Sequence, residues 1–144
     1  MLSEKIVTHC KKKGWWSDDI AQPYLDVILD LGIDPSSACG QFYLHAEDGP
    51  SFLSRQRELY HICWFSINSQ YKLDIKRTQE RLHMPDDYLP LDSFEAGDGF
   101  FYNRNSGEVA AVKTGKQLHD FLLGDMQPQW KNFNDFLEWY FELN

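Results

Sequence analysis

Two apolar runs joined by a stretch of turn-forming residues constrain this chain's fold more than any other feature. The first is Phe94-Glu95-Ala96-Gly97-Asp98-Gly99-Phe100-Phe101-Tyr102 and the second is Glu108-Val109-Ala110-Ala111-Val112. Between them lies Asn103-Arg104-Asn105-Ser106-Gly107. Asn, Ser and Gly tolerate the turn conformations that β-branched and bulky residues resist, so the pattern predicts a β-hairpin. Tyr88-Leu89-Pro90-Leu91 just upstream reads as extended. Pro90 lacks an N–H to donate and suits a sheet edge or a strand start.

Around this strand cluster the hydrophobic period changes to that of helices. Ile20, Tyr24, Val27, Ile28 and Leu31 recur at three- and four-residue spacing after Ser17-Asp18-Asp19. They predict an amphipathic helix whose start is limited by Pro23 and whose end is Gly32. Ala38, Phe42 and Ala46 suggest a second short helix that stops near Asp48-Gly49-Pro50. Leu59–Phe65 is short, aromatic and β-leaning, and reads as a strand. From about Asn68 to His83, Tyr71, Ile75, Thr78 and Leu82 form one stripe opposite Lys72, Lys76, Gln79 and Glu80. That is a surface helix packed by one face. Residues 117–123 also read as helical, followed by a loop over 124–129. Phe133, Phe136, Leu137, Tyr140 and Phe141 predict a closing helix, with Asn132 and Asp135 in a capping-box arrangement. Helices first, strands in the second half and a closing helix give an α+β class rather than alternating α/β.

The 144 residues suit one domain, 1–144, with 42% hydrophobic residues to build a core. Residues 1–16 read as a basic lead-in, with Lys5, Lys11, Lys12 and Lys13 against Glu4 alone. Setting these aside from the chain's 14 bases and 22 acids leaves 10 against 21, a body of net charge −11. Nucleic acid and anionic lipid are polyanions, so the body disfavours both as partners and leaves a basic protein open. Cys10, Cys39 and Cys63 are odd in number and far apart, which suits reduced thiols. Met1-Leu2-Ser3-Glu4-Lys5 lacks the apolar core of an export signal, so a cytoplasmic chain is expected.

No constellation for catalysis emerges. His9, His45, His61, His83 and His119 are scattered without a zinc-type spacing, and neither a GxSxG elbow nor a phosphate-binding P-loop occurs. Asp86-Asp87 follows Pro85 and reads as turn initiation rather than a catalytic carboxylate pair, and Gly97-Asp98-Gly99 reads as a bend. No enzyme activity, cofactor or metal is expected. Tryptophans at helical or strand spacing belong to cores. Trp130 differs, because it sits in the polar stretch Gln127-Pro128-Gln129-Trp130-Lys131-Asn132, where an exposed ring would anchor an interface. Asp86, Asp87, Asp92, Glu95 and Asp98 fall within 13 residues uninterrupted by Lys or Arg, interleaved with Leu91, Phe94, Phe100 and Tyr102. Strand alternation would place some of these acids on one exposed face. With Tyr102, Asp120, Asp125 and Trp130 they form the candidate binding surface.

The order of these pieces resembles the SUKH superfamily of Smi/Knr-type domains. Leu31-Gly32-Ile33-Asp34-Pro35-Ser36-Ser37 followed by Phe42-Tyr43-Leu44-His45-Ala46 is similar to its early helix–turn–helix. Glu58-Leu59-Tyr60-His61-Ile62 is similar to its first sheet strand, and Leu82–Leu91 to its proline–acid–tyrosine lead to the central strands. Gly97–Asn103 through Gly107-Glu108-Val109 resembles its hairpin, and Phe133-Asn134-Asp135-Phe136-Leu137 its closing helix. The segment Ser51–Arg57 is an extra loop against that pattern. The resemblance implies a mixed, largely antiparallel sheet of about five or six strands, flanked by N-terminal helices, a middle helix and a C-terminal helix. It also implies an immunity protein of polymorphic toxin systems, such as contact-dependent growth inhibition. Such a protein stoichiometrically blocks a secreted toxin domain, frequently a nuclease. On that reading the acids complement a basic toxin cleft. The alternative is a SUKH-like adaptor that binds a protein unrelated to toxins.

Overall fold

The computed structural model describes residues 1–144, the side chain of Glu95 excepted. The expected hairpin is present. Strand β4 (Asp98–Asn103) pairs antiparallel with β5 (Val109–Lys113), and β3 (Tyr88–Pro90) adds to the other side of β4. Its turn works through local chemistry. Asn103 Oδ1 accepts from the N–H groups of Asn105 and Ser106 at 2.9 and 3.0 Å, and Gly107 supplies a φ of +82°. Pro90 sits in an edge strand, as its missing N–H requires.

Among the described residues the remaining strands do not join this sheet. β1 (Ser51–Ser54) and β2 (Arg57–Tyr60) form a separate two-stranded antiparallel sheet beside the three-stranded β3-β4-β5 sheet. The α+β class holds, but a single sheet of five or six strands does not. The supposed extra loop at 51–57 is β1 and the turn after it. The expected strand over 59–65 ends at Tyr60, because the His61 Nδ1 accepts from Trp64 N at 3.3 Å and caps helix α4 (Ile62–Asn68). A short apolar aromatic run suits either state by period alone, and here the cap settles it.

The helices before and after these sheets follow their apolar stripes, except that Ile20 lies outside its expected helix and is 44% exposed. They are α1 (Glu4–Lys13), α2 (Gln22–Asp30), α3 (Ala38–His45), α5 (Tyr71–Leu82), α6 (Lys116–Leu123) and α7 (Phe133–Tyr140). The N-terminal segment read as a basic lead-in holds a packed helix. Ser3 caps α1, Ile6 and Cys10 are fully buried, and Lys11, Lys12 and Lys13 occupy the last turn, where the helix dipole favours cations. Ser3 N donates to Asn134 Oδ1 at 2.9 Å, tying the N-terminus to α7. Pro23 lies in the first turn of α2, as expected.

Strand alternation sends side chains to both faces of the three-stranded sheet, and both faces are covered. Leu89, Phe100, Tyr102 and Val109 pack into the main core with Phe42, Phe133, Phe136 and Tyr140. Phe101, Ala110 and Val112 face a smaller core closed by Leu82, Met84, Phe94 and Phe121. The Tyr140 hydroxyl donates to the Arg57 carbonyl oxygen at 2.6 Å, fastening the small sheet to α7. Trp130 exchanges backbone hydrogen bonds with Val109 at 3.0 and 3.2 Å, and the Gln129 amide bridges Ala111. These contacts cover the outer edge of β5, which would otherwise expose unpaired backbone groups.

Candidate functional site

Four of the acids named from the sequence, Asp86, Asp87, Asp120 and Asp125, are next in sequence to residues that line one groove. Pro85 and Tyr88, leading into β3, face Phe121, Leu122, Leu123, Met126 and Pro128 across a cavity of about 350 Å³. Tyr88 meets Phe121 edge-on at 5.3 Å, which sets the floor. α6 presents its buried face through Phe121 and leaves Leu122 and Leu123 39% and 62% exposed. Gly124 then ends the helix in the left-handed conformation, turning the chain back along the groove.

Asp86 and Asp125 are exposed and Asp87 is half-buried, each next in sequence to groove residues. None of the three has an ion-pair partner among the described residues. The turn carrying Asp86 and Asp87 is fixed through its backbone. Arg104 Nη2 donates to Asp86 O at 2.7 Å, and Arg104 N donates to Asp87 O at 2.9 Å. Arg104 thus holds the main chain of the turn and pairs with neither carboxylate. Asp120 differs, since Lys116 Nζ lies 2.7 Å from its Oδ2 and offsets its charge.

Asp92 and Asp98 belong elsewhere. Asp92 is only 9% exposed, and its Oδ1 accepts from the N–H groups of Phe94 and Phe100, both at 3.3 Å. Arg57 Nη2 approaches its Oδ2 at 3.2 Å and Asp98 Oδ1 at 3.7 Å, with the guanidinium stacked 3.8 Å over the Phe100 ring. Burial pushes the Asp92 carboxyl up to about 6, against the downward pull of Arg57 and the two N–H donors. A small cleft of about 240 Å³ opens here, with Gln56 and Glu58 on its far wall.

The backbone around this junction is strained. Arg55 and Gln56 form the β1–β2 turn with φ of 54° and 58°, and Phe94 and Ala96 have φ of 56° and 55°. Left-handed backbone at residues other than glycine survives only where surrounding contacts over-determine it. Arg55 has such contacts, donating from Nε to Trp139 O at 2.8 Å and stacking 4.1 Å over the Trp139 ring.

The expected acidic strand face is therefore not formed. Both faces of β4 are buried, Asp92 is drawn inward by its donors, and Tyr102 is 4% exposed and packs on Phe133. Trp130 is half-buried against Phe136 and Trp139 at 5.1 and 4.8 Å, so it is part of the packing rather than a projecting anchor. The Glu95 side chain lies outside the described residues. Sequence reasoning missed Leu122, Leu123 and Arg57. The adjacent leucines before Gly124 were a readable signal, whereas Arg57 had none, because its partner is 35 residues away.

Other chemistry is quiet. Among the described residues no group of three or more His, Cys, Asp or Glu is placed to hold a metal ion. Cys10 and Cys63 are pushed up to about 12 by burial, which keeps them as thiols. His61 is fully buried, with Nε2 2.9 Å from the Ala46 carbonyl oxygen. Burial holds it down near 4, with Glu47 pulling the other way. Among the described residues no helix is long and apolar enough to cross a membrane. No family model, curated protein or solved structure matches the chain.

Proposed function

We propose that this chain is a SUKH-type immunity protein that binds a basic toxin domain, a nuclease by the chemistry it complements, and blocks it one-to-one without covalent chemistry. The observation that carries the reading is the groove between Pro85–Tyr88 and α6. It combines an apolar floor and two exposed leucines with the unpaired carboxylates Asp86, Asp87 and Asp125. Protein interfaces concentrate binding energy in a desolvated apolar centre, and surrounding charge sets encounter rate and partner choice. A nuclease must present cationic groups to bind phosphates, so an acid-rimmed groove suits the border of its cleft. The protein would act in the cytoplasm, where an incoming toxin meets its target.

Co-expression with the toxic domain encoded immediately upstream of this chain's gene tests the reading. Growth should be rescued from that toxin and not from an unrelated one. Failure to rescue or to bind it would overturn the reading in favour of an adaptor.

A further inference from the structure

A second cleft, about 460 Å³ in volume, runs between one face of α5 and the segment after β3. That size is within the ~300–1,000 Å³ common for small-molecule sites. Arg77, Thr78 and Arg81 line it from α5, Ser93 lines the opposite side, and Tyr60 and Pro90 supply apolar wall. The four-residue spacing places both arginines on one helix face, about a turn apart. Among the described residues neither has a carboxylate within ion-pairing distance. Arg81 lies 5.9 Å from the centre of the Phe94 ring. Phe94 is itself held in a left-handed conformation, with its N–H on Asp92 Oδ1, so this guanidinium lies near a fixed ring.

The two carboxylates that also line the cleft offset the arginines only in part. Asp92 is already matched by Arg57 and two backbone N–H groups on its other side. Asp74 lies one turn before Arg77 on the same helix face without pairing with it, and two turns, roughly 10 Å along the axis, before Arg81. Arg81 is therefore the least compensated charge lining the cleft, with Arg77 one turn away on the same face.

We propose that this cleft binds an aryl or heterocyclic phosphate monoester, with its phosphoryl group between Arg77 and Arg81 and its ring against Tyr60 and Pro90. Guanidinium forks pair bidentately with phosphate oxygens, and the Thr78 and Ser93 hydroxyls add neutral donors for a third oxygen. A carboxylate has one oxygen fewer and would leave part of this donor set unmatched. The assignment is independent of the toxin reading, because it concerns a cleft that shares no lining residue with the first groove and needs no protein partner.

The test is an NMR titration of the full chain with phenyl phosphate and, separately, with inorganic phosphate, following backbone amides. Saturable shifts confined to Tyr60, residues 74–81 and residues 91–94 are expected, with phenyl phosphate bound more tightly. The double variant Arg77→Gln/Arg81→Gln should weaken binding by at least about tenfold, since each charge-assisted contact is worth about that factor. Both side chains are exposed, so its thermal midpoint should match the parent. The absence of saturable shifts, or equal affinity in the double variant, would overturn the site. Inorganic phosphate binding as tightly as phenyl phosphate would overturn the role of the aromatic wall.

Discussion

Arg57 Nη2 lies 3.2 Å from Asp92 Oδ2, joining the tip of the β1–β2 hairpin to the loop that leads into β4. Both segments carry positive-φ residues other than glycine, so one ion pair fastens two strained pieces of backbone. Removing the cation would leave a buried carboxylate unmatched, which costs more than the pair itself contributes. Arg57→Leu should therefore destabilise the fold by about 3 kcal/mol in urea denaturation, and adding Asp92→Asn should recover part of the loss. Additive losses in the double variant would show that the two side chains are not coupled.

Two buried groups make opposite contributions to stability over one pH window. Asp92 rises from an ordinary 3.8 to about 6, chiefly through burial, so the folded state holds its proton more tightly than the unfolded chain does. Its contribution is full below 3.8 and is lost as pH rises through 6. His61 falls from an ordinary 6.5 to about 4, again chiefly through burial. Its contribution is full above 6.5 and is lost as pH falls through 4. Each is worth roughly 3 kcal/mol, and the two largely offset. His61→Asn, which preserves a helix cap, should gain stability relative to the parent on acidification from pH 6.5 to 4. Asp92→Asn should lose stability relative to the parent as pH falls from about 6 to 3.8. Denaturation midpoints that run parallel for all three proteins would contradict this.

Gly99 and Gly107 resist substitution for different reasons. A Cβ at Gly99 would lie 2.5 Å from Phe94 Cδ2 and 2.6 Å from Asp92 Oδ1, in a region already packed. Gly99→Ala should cost about 1–3 kcal/mol by overpacking and disturb the Asp92 hydrogen bonds. Gly107 has open space around it but a φ of +82°, so Gly107→Ala should cost only about 1 kcal/mol of backbone strain. Calorimetric midpoints of the two variants distinguish these effects, and equal shifts would refute the packing argument at Gly99.

On the proposed reading, the exposed leucines of α6 and the nearby acids act on different rate constants. Leu123→Ser should leave the thermal midpoint nearly unchanged, since the side chain is 62% exposed. Toxin release should nevertheless accelerate by about tenfold, because apolar anchors act mainly on dissociation. Charge reversals at Asp86 and Asp87 should instead slow association and flatten its salt dependence, as stopped-flow rates would show. A uniform effect of both changes on dissociation alone would argue against this division.

The parts of this fold legible in the sequence are those governed by neighbouring residues. The hairpin turn closes on Asn103 and Gly107, and α5 and α7 follow their own apolar stripes, so each could be read locally. The β1–β2 hairpin could not, because Arg55 and Gln56 turn with positive φ where glycine or asparagine would be expected. Their strain is offset by Trp139, 84 residues away. The same limit applies to the site. Asp86, Asp87 and Asp125 lie near one groove because β3 and α6 pack around Tyr88 and Phe121. Asp92 left the expected surface because its partners come from β2 and β4, and Trp130 left it by pairing with Val109. Net acidity pointed to a basic partner, but burial and ion pairing decide which acids are available to meet it.

The most direct measurement is calorimetric titration of this chain with the purified toxic domain encoded immediately upstream of its gene. The parent should be compared with the Asp86→Lys/Asp87→Lys/Asp125→Lys variant, and circular dichroism should show both to be equally folded. One-to-one binding by the parent, weakened about hundredfold or more in the variant, is the predicted result. No binding by the parent, or equal affinity in the two proteins, would contradict the assignment of this groove as the toxin-binding surface.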